Sequence, residues 1–174
     1  MDTAAYERRA RGGACFICAI ARGENDLPNP LVYEDDVALA WVNPYQTQLG
    51  YTLVAPREHR EHVTGDFPSD EYVALQRVVH RVGEAVRRAV PTERLYVLSL
   101  GSRQGNAHVH WHLVPLPPGV PHEERQLAAL DRSRLGCSTW TSRSSSGWQR
   151  RSAASSADES PFPPWGARGP LPKR

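Results

Sequence analysis

The chain reads as an α+β protein: an antiparallel sheet of about five strands, one long helix, one or two short helices, and a disordered C-terminal tail. Three observations carry that reading. Short runs rich in Val, Leu, Tyr and Trp are separated by short polar connections, one longer stretch has helical apolar spacing, and the composition breaks near residue 132. The expected organisation is a flexible N-terminus over 1–13, one domain over 14–131 and a tail over 132–174. At 174 residues, with 23% charged and 40% hydrophobic residues, the chain is long enough for one modest soluble domain. It carries no run long and apolar enough for a transmembrane helix and no convincing signal peptide, so the cytoplasm is the expected compartment.

In chain order, Leu31 to Glu34 and Val37 to Val42 read as two strands around an Asp35-Asp36 turn, and Gly50 to Ala55 as a third. Ser69 to Val90 is the long helix: Tyr72, Leu75, Val79, Val82 and Val86 recur at spacings of three and four along one face. Ser69 or Asp70 can cap its start, and Pro91 ends it. Leu95 to Leu100 is a further β-type run, and the turn-rich Gly101 to Asn106 leads into a last one, so residues 95 to 116 read as a hairpin. His122 opens an acidic helix start.

That last run contains His108-Val109-His110-Trp111-His112-Leu113-Val114, with histidine at every second position. In an extended strand the side chains alternate faces, so the three imidazoles share one face, roughly 6 to 7 Å apart, while Val109 and Leu113 bury the other. Such an array attacks phosphorus or carbonyl centres, holds anionic oxygens or binds a metal. Gln104 and Asn106 in the preceding turn add small donors for phosphate oxygens. His62, His80 and His122 lie in charged segments and read as solvated.

The His-Val-His-Trp-His run, the upstream Gly50-Tyr51-Thr52-Leu53-Val54-Ala55-Pro56-Arg57-Glu58-His59 and Cys15-Phe16-Ile17-Cys18 together resemble the histidine triad (HIT) superfamily of nucleotide hydrolases and transferases, over about residues 14 to 127. The resemblance implies that His110 is the nucleophile, attacking an α-phosphate to form a nucleotidyl-histidine intermediate that water or phosphate then releases. It implies that His112 contacts the phosphate and that His108 orients the nucleophile or, in some branches, binds zinc. Phe16, Ile17 and Ile20 fall where relatives line a base pocket, though ordinary core packing explains them equally well. Asn43 stands where many members have an acidic residue on the ribose, Tyr51 replaces a common histidine, and Ser99 stands near a phosphate-binding asparagine. Two protomers of such proteins commonly form one continuous sheet, so a homodimer is expected by resemblance.

Cys15-x2-Cys18 supplies two soft ligands from one turn. Some HIT branches complete a tetrahedral set with positions matching His59 and the first triad histidine. The resemblance therefore implies a structural zinc on Cys15, Cys18, His59 and His108; the alternative is a pair of buried free thiols with His59 at a helix start. A thioredoxin-like redox pair is less attractive, because the parallel βαβ context is missing.

Residues 1 to 131 hold 13 Arg against 17 Asp and Glu, whereas residues 132 to 174 hold 8 Lys and Arg against 2 acidic residues. The tail also contains ten Ser, five Pro and three of the five Trp, without apolar periodicity. A basic tail of this kind can touch nucleic acid or membrane, but neither partner is expected here, because the break at Gly136 reads better as a change of reading frame. Cys137 to Ser142 can be encoded TGC TCG ACC TGG ACG AGC; one base earlier, after a G, the same bases encode Val-Leu-Asp-Leu-Asp-Glu, an acidic helix-starting pattern. The codons of the gene test this directly: if the neighbouring frame gives no continuous acidic helix, the idea fails.

The expected function is thus cleavage at the α-phosphate of a nucleoside 5′-phosphate derivative, a phosphoramidate or a dinucleoside polyphosphate, by a hydrolase or phosphorylase with a nucleotide as its substrate partner. Two alternatives stand beside it: a metal-dependent hydrolase whose ion sits on His110 and His112, and a nucleotide-binding module without turnover.

Overall fold

The structure is a computed structural model that describes residues 14–24, 31–100 and 107–130. The expectations of a flexible 1–13 and a disordered 132–174 lie outside these residues, as do Gln104 and Asn106. Five strands form one antiparallel sheet: β1 (Leu31–Glu34), β2 (Ala38–Val42), β3 (Thr52–Pro56), β4 (Arg94–Leu98) and β5 (Trp111–Leu116), in the order β1-β2-β3-β5-β4. The helices are α1 (Phe16–Ala21), α2 (Ser69–Ala89) and α3 (Arg125–Leu130), with a 3-10 turn at His122–Glu124 before α3. No described helix is long and apolar enough to cross a membrane.

Local chemistry explains the connections. Asp35 closes the β1–β2 hairpin, its Oδ1 accepting from the backbone N–H groups of Val37 at 2.9 Å and Ala38 at 2.8 Å. The third strand begins at Thr52 rather than Gly50, because Gly50 takes φ +84, a left-handed conformation costly for any residue with a Cβ. The α2 helix starts after Pro68, and no side chain caps it, contrary to the expected Ser69 or Asp70 cap. Asp70 and Glu71 instead sit in the first turn and Arg87 and Arg88 in the last, where they complement the helix dipole.

Alternation sorts the core into two layers. On one face Ala38, Ala40, Val42, Val54, Val109, Trp111 and Leu113 pack against Leu75, Val78, Val79, Val82 and Val86 of α2. On the other, Leu39, Trp41, Leu53, Ala55 and Val114 pack against Ile17 and Ile20 of α1 and Ala129 of α3. Burying each large apolar side chain contributes about 1.5–3 kcal/mol, so α2 alone anchors the sheet through five such contacts. The α3 helix is pinned at its C-terminal end, where Thr47 Oγ1 donates to the Ala129 carbonyl and Gln48 Nε2 to the Ala128 carbonyl, both at 2.9 Å. All positions of β2 and β3 are buried, as central strands covered on both sides must be.

One expectation needs correction. The three histidines do not share a strand: β5 begins at Trp111, so His108 and His110 precede it and only His112 lies within it. The β3–β5 ladder runs Thr52↔Leu113, Leu53↔His112 and Val54↔Trp111 and then stops. Two positions beyond Val54 stands Pro56, which has no N–H to extend the ladder. The chain bends at His108 instead, and the Val109 N–H donates to the Arg60 carbonyl at 2.7 Å.

Candidate functional site

The bend carries His108 into a corner formed by the start of α1 and the segment after β3. Cys15 is the α1 N-cap, and its thiol accepts the Cys18 N–H at 3.5 Å, so the two sulfurs face the same side. Cys15 Sγ lies 3.4 Å from His108 Nδ1, Cys18 Sγ lies 3.6 Å from that same nitrogen, and Cys18 Sγ lies 3.4 Å from His59 Nδ1. All four ligand atoms fall within 4.8 Å of one another. With zinc–sulfur bonds of about 2.3 Å and zinc–nitrogen bonds of about 2.1 Å, a tetrahedron has S···N edges of roughly 3.5 Å.

The protonation pattern fits a cation equally well. His108 Nε2 donates to the Pro56 carbonyl at 3.0 Å, and His59 Nε2 lies 3.3 Å from the Glu61 carboxylate, so in both rings the proton belongs on Nε2 and Nδ1 offers its lone pair. Burial holds the His108 pKa down, to about 4, which keeps the imidazole neutral. Burial, and then the neighbouring Cys15, raise the Cys18 thiol to about 11. The Cys18 thiol therefore resists ionising until a cation compensates it, which the four-residue set is suited to accommodate.

Two residues on, the environment changes. His110, 5% exposed, points its Nδ1 at the His108 carbonyl, 2.9 Å away. A carbonyl only accepts, so Nδ1 carries the proton and Nε2 carries the lone pair. Burial lowers the pKa of His110, opposed in part by that hydrogen bond. The His112 ring lies beside it, centroid to centroid 4.6 Å, and the Tyr51 hydroxyl lies 2.6 Å from His112 Nδ1. Ser99 Oγ donates to the His110 carbonyl at 3.0 Å. The arrangement presents an uncharged nucleophilic nitrogen with a second imidazole alongside, suited to attack on an electrophilic phosphorus.

The other sequence-selected residues fall less uniformly. Ile17 is completely buried in the sheet core, so it packs rather than presents a surface, and Ile20 is 6% exposed in the same cluster. Phe16 is half-buried, edge-on to Trp41 with ring centroids 6.1 Å apart. Asn43 is buried just after β2, its Oδ1 accepting the Tyr45 N–H at 2.9 Å and its own N–H donating to the Tyr51 carbonyl at 2.8 Å. His62, His80 and His122 are exposed, as expected. Sequence reasoning assigned no role to the carbonyls of Pro56 and Arg60, since a backbone acceptor carries no residue-type signal. Tyr51 was legible as a departure, but nothing in the sequence connects it with His112.

Among the described residues, the one group of three or more metal-capable side chains is the Cys15, Cys18, His59, His108 set. Among the described residues, no third metal-capable side chain joins His110 and His112 in such a group.

Comparison with known proteins fits this geometry. Residues 24–118 match the model of the HIT domain. An uncharacterized HIT-like protein of Methanocaldococcus jannaschii is 31% identical over 103 residues, covering 58% of this chain and 78% of the relative. The adenosine 5′-monophosphoramidase hnt1 of Schizosaccharomyces pombe is 28% identical over 132 residues, covering 67% and 92% respectively. The crystal structure of a hypothetical histidine triad nucleotide-binding protein from Sulfolobus tokodaii superimposes with a TM-score of 0.61 at 26% identity, over 81% of this chain and 91% of that one. With more than half its length matched, and with a histidine-triad bend and five-stranded sheet in place, the chain belongs to the HIT family.

Proposed function

We propose that the protein is a nucleotide hydrolase or nucleotidyltransferase that cleaves at the α-phosphate of a nucleoside 5′-phosphate derivative through His110. The observation that carries this reading is the 2.9 Å bond from His110 Nδ1 to the His108 carbonyl, which directs the lone pair to Nε2. Membership in the HIT family supports a nucleotide substrate, and the similarity to a phosphoramidase favours a phosphoramidate, with an amine as the leaving group.

That geometry supports a displacement in two steps. The His110 Nε2 pair forms a bond to the α-phosphorus while the bond to the leaving amine or phosphate breaks; an amine leaves with a proton taken from solvent, and the later attack by water returns one to solvent. His112, 4.6 Å away ring to ring, stabilises the charge gathering on the phosphoryl oxygens. Water, or phosphate in a phosphorylase, then attacks the nucleotidyl-histidine from the vacated side, and His110 recovers its lone pair.

Cys15, Cys18, His59 and His108 would hold zinc, which when bound supplies structural cross-linking and, with every ligand position filled by protein, no site for reacting water. His108 then has two duties: its ring belongs to the metal corner and its carbonyl orients the nucleophile.

The test is turnover of adenosine 5′-phosphoramidate and diadenosine tetraphosphate, with and without inorganic phosphate. Release of AMP independent of phosphate marks a hydrolase, and phosphate-dependent ADP a phosphorylase. AMP binding without turnover of either compound would instead support a binding module and overturn the proposal.

A further inference from the structure

We infer that Tyr51 is a positioning residue that holds His112 with its proton on Nε2, so that the two neighbouring imidazoles are wired as opposite tautomers, one a lone-pair donor and the other a proton donor. The inference rests on the proposed function only for what His112 meets, a phosphoryl oxygen.

The Tyr51 backbone is fixed on both sides. Its N–H donates to the Gln48 carbonyl at 3.1 Å and its carbonyl accepts from the Asn43 N–H at 2.8 Å, while Gly50 before it takes the left-handed turn. Its ring is 7% exposed and packs in the same layer as Leu53, Ala55 and Val114. The phenol therefore has little freedom, and its hydroxyl stands 2.6 Å from His112 Nδ1.

The direction of that bond follows from acid–base strength. A phenol, with its pKa near about 10, is a much stronger proton donor than a neutral imidazole N–H, and a bare imidazole nitrogen, whose conjugate acid has a pKa of about 6.5, is a much better acceptor than a phenol oxygen. Tyr51 thus donates to Nδ1, and the proton of neutral His112 sits on Nε2. His110 is the reverse case, because the His108 carbonyl can only accept and so fixes the proton on Nδ1. Side-chain identity at position 51 writes one tautomer and a backbone atom writes the other.

The division suits phosphoryl chemistry. The nucleophile needs a lone pair aimed at phosphorus, while its neighbour needs an N–H aimed at an oxygen whose charge grows in the transition state. Removing the Tyr51 hydroxyl leaves the His110 wiring untouched and releases that of His112.

The direct readout uses full-length, zinc-loaded protein labelled with 15N-histidine, recorded by long-range 1H–15N correlation at about pH 8, above the ordinary imidazole range. We expect wild-type His112 to show a bare Nδ1 and a protonated Nε2, and His110 the opposite pattern. In Tyr51→Phe, His112 should pass to a mixed or Nδ1-protonated state with His110 unchanged. Turnover of adenosine 5′-phosphoramidate by that variant should fall about 10- to 100-fold in kcat with a much smaller change in KM, by analogy with the loss of a group that orients a metal-bound imidazole. A wild-type His112 protonated on Nδ1, or a His112 tautomer that does not change in Tyr51→Phe, overturns the inference. If the variant fails to fold, the wild-type spectrum alone still decides. Absence of turnover in wild type would sink the proposed reaction and leave the tautomer result standing.

Discussion

The Cys15, Cys18, His59, His108 corner and the His110, His112 pair lie two residues apart on one chain, and each contains a buried histidine wired in the opposite sense. His108 is completely buried, donates through Nε2 to Pro56 and turns Nδ1 toward two thiols. His110 is nearly as buried but donates through Nδ1 to the His108 carbonyl, which leaves Nε2 as its basic atom. Which ring nitrogen finds a carbonyl, rather than burial or residue identity, thus decides which nitrogen keeps its lone pair, and the proposed roles of ligand and nucleophile rest on that difference. The two regions also share one residue: the His108 ring faces one and its carbonyl the other.

The most severe way to break the comparison is His110→Ala. We expect kcat/KM for adenosine 5′-phosphoramidate to fall by about 10⁴-fold or more, as loss of a covalent nucleophile does, with zinc content and unfolding temperature near wild type. Activity and metal content measured on one preparation check both halves.

Next in size is the double substitution Cys15→Ser with Cys18→Ser. Two hydroxyls replace two thiolate ligands, so zinc measured by elemental analysis should be lost and the unfolding temperature should drop by roughly 10 °C or more. The activity loss should be smaller than in His110→Ala, because His110 keeps its nitrogen and loses only a well-anchored carbonyl partner. Equal losses would mean that the two regions act as one.

The pH profile sharpens the same contrast. Burial lowers the pKa of His110, and the nucleophile is the neutral form, so the reactive state persists to lower pH than an exposed imidazole would allow. The acidic limb of kcat/KM should lie below about 6.5. A limb above that value would contradict the assignment.

Gly50→Ala has a smaller, structural effect. A Cβ there meets both Val90 methyl carbons at 3.1 Å with φ at +84, so we expect about 1–3 kcal/mol of destabilisation, read as a fall of several degrees in unfolding temperature. Ser99→Ala is the mildest: the 3.0 Å bond to the His110 carbonyl is lost, and kcat should drop by only a few fold.

Much of this was legible before the structure. Strand and helix periods placed all five strands and α2 within a few residues, because apolar alternation and three–four spacing are consequences of burial itself. Half of the candidate metal set was readable because Cys-x2-Cys is a recognisable spacing of a rare residue type; His59 and His108 came only from the resemblance to the HIT family, and the four side chains do converge. The bend at His108 was not, since it depends on the β3–β5 ladder ending at Val54↔Trp111, short of Pro56. Nor was the cap of α2: the helix begins at Ser69 as expected, but Pro68 takes the capping position in place of a polar side chain. The wiring of His110 and His112 was hidden for the same reason: one partner is a backbone carbonyl and the other, Tyr51, is distant in sequence.

The central claim, that the nitrogen selected by the His108 carbonyl is the nucleophile, is tested most directly by trapping the intermediate. Wild-type protein mixed with adenosine 5′-phosphoramidate, quenched within milliseconds and digested under alkaline conditions should yield a peptide bearing one adenylyl group on His110. Rapid turnover without any such adduct, or an adduct located on His112 or elsewhere, would contradict it.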